Sequence, residues 1–182
     1  MTPAPPADAV RLGILSDTHG RADACRMAVQ TLLDLGAQAL AHCGDVGEEA
    51  VLEALAGHPV WFVWGNNDFD RPRLAQYAQD LGLECLDDFG RFSFAGRQFA
   101  LTHGDDSRLL ASLCAAGDAG CAAPKAPVPD DYLLSGHTHV PHDRRHGRLR
   151  WINPGALYRA RPKTVALLDV KNDQLLLRPL TL

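Results

Sequence analysis

The chain has 182 residues, 46% of them apolar and 22% charged, the balance of an ordinary soluble globular domain. At that length folding buries roughly 70% of the unfolded surface, so a core needs no disulfide or structural metal. A formal net charge of −4 argues against a general nucleic-acid binder, and any anionic ligand must be drawn by a local feature.

Met1 to Asp8 is Pro- and Ala-rich, with neither a basic start nor a long apolar run, and reads as a disordered leader before a single domain over 9–182. Val10–Ser16 is an apolar run that stops at Asp17, as a buried strand does. Ala22, Cys25, Ala28, Val29, Leu32 and Leu33 follow at helical spacing within Arg21–Leu35, and Gly36 ends that helix. A second strand is predicted over Ala37–His42, a helix over Glu48–Ala56, a third strand over Val60–Trp64 and a helix over Arg71–Leu81 with Pro72 in its first turn. Short apolar strands alternating with helices imply a parallel sheet covered on both faces. Each strand hands over to a polar cluster at its carboxyl end, the edge where open α/β sheets bind ligands.

The second half is richer in strands. Arg91–Phe94 and Gln98–Leu101 flank a hairpin turn, a helix follows over roughly Ser107–Ala116, and Tyr132–Leu134, Leu149–Ile152, Thr164–Val170 and Gln174–Pro179 are further strands. Gly117–Asp130, with three prolines, reads as a surface loop, and Pro141–Arg148 (PHDRRHGR) as a solvated basic turn. The expected architecture is one α/β domain with a sheet sandwich at its core. No apolar stretch approaches the roughly 20 residues of a membrane helix. Five cysteines (Cys25, Cys43, Cys85, Cys114, Cys121) without CxxC spacing fit reduced thiols in a cytoplasmic protein.

Five clusters put a metal-competent side chain beside glycine just after a strand: Asp17-Thr18-His19-Gly20, Gly44-Asp45, Gly65-Asn66-Asn67-Asp68, Thr102-His103-Gly104 and Gly136-His137-Thr138-His139. Singly, each has a plainer reading: Asp17 or Asp45 as a helix cap, Asn66-Asn67 as a turn, His103 as a half-buried histidine, His137 and His139 as a polar strand end. Jointly they read as a metal centre. Residues i and i+2 of an extended strand face one side, so Asp17 and His19, or His137 and His139, can address one ion. Four imidazoles, two carboxylates and one amide oxygen, with no thiolate, suit manganese foremost, with iron, zinc, nickel or cobalt as alternatives. Seven donors exceed what one tetrahedral ion takes, whereas two ions sharing a carboxylate use them all.

The order D-x-H, G-D, G-N-x-D, T-H-G and G-H-T-H resembles the calcineurin-like metallophosphoesterases, and the short length resembles their small bacterial and archaeal phosphodiesterase branch. The resemblance implies an α/β fold, a four-layer α/β/β/α sandwich of the metallophosphoesterase type with a dinuclear site at the sheet edge. Carried over, it assigns Asp17, His19 and His139 to the first metal, Asn66, His103 and His137 to the second, and Asp45 to both. Asn66, Asp68 and His103 are the candidate catalytic side chains, His42 and Asp68 also being candidate orienters, and Asn153-Pro154-Gly155-Ala156 is a structural turn. The implied reaction is in-line displacement at phosphorus by a bridging hydroxide.

One position departs from the larger phosphatases of that family, whose motif is usually G-N-H. Here the histidine is Asn67, which cannot titrate, so the obvious general acid is missing and aryl phosphodiesters are expected over alkyl monoesters. His142 or His146 is a stand-in acid, and Arg144 or Arg145 a phosphate contact, only if PHDRRHGR is more than a solvated turn. The implied partner is a small phosphodiester or phosphomonoester substrate. Nucleic acid is disfavoured by charge, no membrane is implied, and the Pro-rich loop with Trp151 is a possible homodimer contact. The alternative is a non-catalytic scaffold on the same fold.

Overall fold

A computed structural model describes residues 9–119 and 130–181. The expected leader and most of the Pro-rich loop therefore lie outside the described residues. The first half runs β1 (Arg11–Leu15), α1 (Ala22–Asp34), β2 (Ala39–His42), α2 (Glu49–Leu55), β3 (Val60–Phe62), α3 (Arg71–Asp80) and β4 (Glu84–Cys85). The second runs β5 (Phe89–Phe94), β6 (Arg97–Thr102), α4 (Ser107–Ala119), β7 (Tyr132–Leu134), β8 (His142–His146), β9 (Leu149–Asn153), β10 (Lys163–Asp169) and β11 (Gln174–Leu180).

Two sheets result, ordered β11-β10-β1-β2-β3-β4 and β5-β6-β7-β9-β8. In the first, β1 to β4 are parallel, with Ile14 opposite Ala41 and His42 opposite Phe62, while β10 and β11 add antiparallel. In the second, β6, β7 and β9 are parallel and β5 and β8 close the edges antiparallel.

Side-chain alternation along these strands separates three cores. Leu15 of β1 and Val165 and Leu167 of β10 meet Cys25, Ala28 and Leu32 of α1 and Leu52 and Leu55 of α2. The neighbours Leu12, Ile14, Ala166 and Leu168 turn the other way, onto Phe99 and Leu101 of β6 and Leu134 of β7. Ala100 and Leu133 then face Leu113 of α4. Three cores define four layers: helices, sheet, sheet, helix. Between the sheets, Trp61 stacks on Phe92 at 4.3 Å, Phe92 on Phe99 at 4.9 Å and Phe99 on Tyr132 at 4.7 Å, a column joining β3 to the second sheet.

Two expectations change. PHDRRHGR is not a solvated turn, because His142–His146 pairs with β9 as an edge strand. Its polarity is accommodated by ion pairs: Arg150 contacts Asp143 and Asp173, and Arg145 contacts Asp173. The segment read as a loop from Gly117 begins as helix, since α4 continues to Ala119. Trp151 is partly buried, packed against the cluster that includes Leu113 of α4, and donates Nε1–H to Ser135 Oγ at 2.8 Å.

Candidate metal centre

All seven candidate donors lie past the carboxyl ends of parallel strands. Asp17 and His19 follow β1, Asp45 follows β2, Asn66 follows β3, His103 follows β6, and His137 and His139 follow β7. The first sheet supplies four donors and the second three, and the structure brings them together. Asp17 Oδ1 lies 3.1 Å from His139 Nε2 and 4.0 Å from His19 Nε2. Asn66 Oδ1 lies 3.0 Å from His103 Nε2 and 3.2 Å from His137 Nδ1. Asp45 Oδ2 sits between the two groups, 3.3 Å from His19 Nε2 and 3.5 Å from His103 Nε2. Bonds of about 2.1 Å at right angles place neighbouring donors about 3 Å apart, and the ligand atoms of Asp17, His19 and His139, and of Asp17, Asp45 and His103, lie within 4.8 Å of one another, as a divalent ion requires.

The donors do not converge in the way strand alternation suggests. Asp17 (φ 55°), His19 (46°), Asp45 (56°), His137 (67°) and His139 (57°) all adopt left-handed backbone. Such conformations cost of order 1–3 kcal/mol each where the side chain is not glycine, and persist only when the surroundings enforce them. Here the enforcement is visible. Asp17 N–H donates to the Gly44 carbonyl and His19 N–H to the Asp45 carbonyl, so the two loops continue the β1–β2 pairing. Gly65 and Gly136 have no Cβ where one would overlap the carboxylates of Asp45 and Asp17.

The chemistry of the donors fits cations. Asp17 is fully buried, yet its Oδ1 has no hydrogen-bond partner, and neither does His19 Nε2. Unpaired buried polar atoms are costly, and an ion is what would satisfy this pair. His103 donates Nδ1–H to the Cys43 carbonyl at 2.8 Å, which leaves Nε2 to act as ligand. Burial disfavours its charged form, but hydrogen bonding and charge from Asp45, with the Cys43 carbonyl, lift its pKa to about 9. Burial would likewise raise the Asp45 carboxyl, but His103 and the two donors of Asn67 hold it well below the usual carboxylate range. The pocket therefore stabilises positive charge beside Asp45.

Asp68 faces away from this chemistry. Its oxygens accept Val46 N–H at 3.2 Å, Gly47 N–H at 2.7 Å and Gly65 N–H at 2.8 Å, tying the loops that carry Asp45 and Asn66 together. It is a positioning residue. His42 is fully buried. Gly44 N–H donates to its Nδ1, so Nε2–H donates to Thr18 Oγ1, and burial with the nearby His103 lowers its pKa to about 3. It is a neutral strut under the loop.

His142 rests on the edge of Trp151 and His146 faces Asp118, both away from the donors. Asn153 matters more than a turn residue. Its Nδ2 donates to the Gly136 carbonyl at 2.7 Å and to Thr138 Oγ1 at 3.2 Å, holding the loop of His137 and His139. Tyr158 was not singled out at all, yet its ring lies 4.8 Å from that of His19. An aromatic beside Gly155-Ala156 was the signal available.

Over 170 residues the chain is 26% identical to phosphodiesterase MJ0936 of Methanocaldococcus jannaschii, covering 91% of this chain and 96% of that protein. A solved structure of an archaeal phosphodiesterase superposes with a TM-score of 0.81 at 25% identity, covering 94% of this chain and 100% of that one. The E. coli phosphoesterase Yfce shares the fold, with a TM-score of 0.62 at 20% identity over 94% of this chain and 100% of its own. Residues 10–173 match the calcineurin-like phosphoesterase superfamily domain, and the chain belongs to that superfamily.

Proposed function

We propose that this chain is a phosphodiesterase with two divalent cations, manganese foremost, held by Asp17, His19 and His139 on one side, Asn66, His103 and His137 on the other, and Asp45 between. The observation that carries the reading is the buried Asp17 Oδ1 and His19 Nε2, left without hydrogen-bond partners where the candidate donors converge. When bound, such ions supply Lewis-acid stabilisation of phosphoryl oxygens and lower the pKa of water.

The chain's own residues set the rest. His103 is fixed in orientation by the Cys43 carbonyl, and Asn153 fixes the loop of His137 and His139. Asp68 holds the loops of Asp45 and Asn66 in register. No titratable side chain occupies the place of Asn67, so the leaving group departs without a proton from that position, which favours aryl esters. The free, buried thiols of Cys25 and Cys43 are consistent with a cytoplasmic protein. Among the described residues no helix is long and apolar enough to cross a membrane.

Metal analysis of the purified protein, paired with hydrolysis of bis(p-nitrophenyl) phosphate in Mn²⁺, tests the proposal. Bound divalent ions and diester turnover are expected. A folded protein that binds no divalent ion and hydrolyses no ester takes the scaffold reading instead.

A further inference from the structure

A recess of about 1430 Å³ opens beside His19, between the start of α1 and the segment joining β9 to β10. Gly20, next to His19, lines its wall, and so does Tyr158, whose ring touches His19. Five cationic side chains, Arg21, Arg26, Arg159, Arg161 and Lys163, surround it against one carboxylate, Asp23. In a chain of net charge −4 this concentration is a local feature of the kind an anionic ligand requires.

Four of the five charges are also unmatched. Arg26 is paired with Asp23 at 2.8 Å. Arg21, Arg159, Arg161 and Lys163 have no carboxylate partner among the described residues. Arginines at the start of α3 differ: Arg71 pairs with Asp88, and Arg73 with Glu49 and Asp70. Arg145, a sequence candidate for phosphate contact, is taken up by Asp173. Tyr158 gathers two of the free cations, with the guanidinium carbons of Arg21 and Arg159 at 5.1 and 5.0 Å from its ring centroid. Arg159 is held there at φ 48°, a left-handed conformation maintained for a residue whose side chain is solvent-exposed.

We propose that this recess binds a second phosphate of the substrate, so that the preferred substrate is a phosphodiester bearing a further phosphate on the arm that passes His19. The proposal rests on the phosphodiesterase reading and deepens it. The shared chemistry is that of a nucleotide carrying more than one phosphate, free or at the end of a nucleic-acid strand. Planar guanidinium groups suit bidentate phosphate contacts.

Two esters isolate the effect: the p-nitrophenyl ester of thymidine 5′-phosphate, and the same ester with a 3′-phosphate. With the Mn²⁺-loaded wild-type protein, kcat/KM is expected to favour the 3′-phosphorylated ester by roughly tenfold, the effect of one charge-assisted contact. The preference should shrink with added salt, since the cations are exposed. It should fall to near unity in Arg159→Gln/Arg161→Gln, and in Arg21→Gln as a second variant on another element. A wild-type ratio near one, or a ratio unchanged in both variants, overturns the proposal while leaving the phosphodiesterase reading intact.

If neither ester is hydrolysed, the phosphodiesterase reading fails and binding decides the recess. Calorimetric titration of the metal-free protein in EDTA with thymidine 3′,5′-bisphosphate should show affinity that both variants lose. Equal affinity in wild type and variants, or no binding, overturns the proposal. Competition by a short thymidine oligonucleotide, tighter than by the bisphosphate, assigns the second phosphate to a strand end. Weaker competition assigns it to a free nucleotide.

Discussion

Asn67 donates to both oxygens of Asp45, its backbone N–H to Oδ1 at 2.8 Å and its side-chain Nδ2 to Oδ2 at 2.8 Å. The position that faces the leaving group in a histidine-bearing site is therefore committed to holding a carboxylate, and offers no acid. Rates across a series of aryl and alkyl phosphodiesters should fall steeply as leaving-group pKa rises. Asn67→His should flatten that slope and raise turnover of the poorest leaving groups by up to about 10²-fold, the lower end of general-acid effects. Rates of the unaltered protein that do not depend on leaving-group pKa would contradict the assignment.

Asp45 faces donors of both groups, with Oδ2 at 3.3 Å from His19 Nε2 and 3.5 Å from His103 Nε2. Asp45→Asn keeps its shape and removes its charge. Loss of bound divalent ion by elemental analysis, with kcat/KM reduced at least about 10²-fold, is the expected outcome. Circular dichroism should show the fold retained. Near-normal metal content in this variant would count against the shared-carboxylate arrangement.

Cation binding should also appear as stability. A ligand at about 100 times its Kd contributes about 2.7 kcal/mol, which for a chain of this size is a rise in Tm of about 5–10 °C. Melting curves in EDTA and in Mn²⁺ measure this directly. Identical curves would show that the cluster does not hold the ion in the folded state.

Asn153, buried beneath the loop of His137 and His139, carries two hydrogen bonds to it. Asn153→Ala leaves the Gly136 carbonyl without that donor and should cost about 1–3 kcal/mol in urea melts. Metal affinity should fall about 10–100-fold, the usual cost of losing a group that orients ligands. A stability loss with unchanged metal affinity would restrict Asn153 to the turn role its sequence context suggests.

The ion-pair cluster around Arg150 predicts a pH dependence away from the metal centre. Hydrogen bonding by Arg150 holds the Asp143 carboxyl below its ordinary value. At Asp173 burial acts the other way, but donors from Arg145, Arg150 and Tyr132 outweigh it. Both folded-state values lie below the unfolded one, so their stabilisation is fully present above about pH 4. It is lost as pH falls through the depressed values. Urea melts in EDTA between about pH 6 and pH 3 should show that loss, and Asp143→Asn should reduce it by up to about 1 kcal/mol, as for partly exposed pairs. An acid slope identical in the variant would exclude Asp143 as a contributor.

The parallel half of the fold was legible because its signals are local. Val10–Ser16 and Ala37–His42 are apolar runs, and the Ala22-to-Leu33 spacing marks one buried helical face. The edge strand β8 was not legible. Its residues read HDRRH, and pairing with β9, with contacts to Arg150 and Trp151 of that strand and to the distant Asp173, makes that polarity compatible with a strand. Residue type and order single out seven candidate donors that the fold brings together, but strand alternation is not what makes them converge. Extended backbone would aim Asp17 and His19 together by alternation, whereas both are left-handed, a choice imposed by the Gly44 and Asp45 carbonyls rather than by either residue. The basic recess was invisible for a related reason: Arg21 and Arg159 come from opposite ends of the chain and meet only across Tyr158.

Because four candidate donors follow strands of one sheet and three follow strands of the other, no fragment that ends before His139 holds the whole set. On a ribosome, Asp17, His19, Asp45 and Asn66 emerge first, and the cluster waits until β7 has paired beside β6 and His139 has cleared the exit tunnel. Uptake of the proposed ions would then be a late step of biosynthesis, after both sheets have begun to assemble.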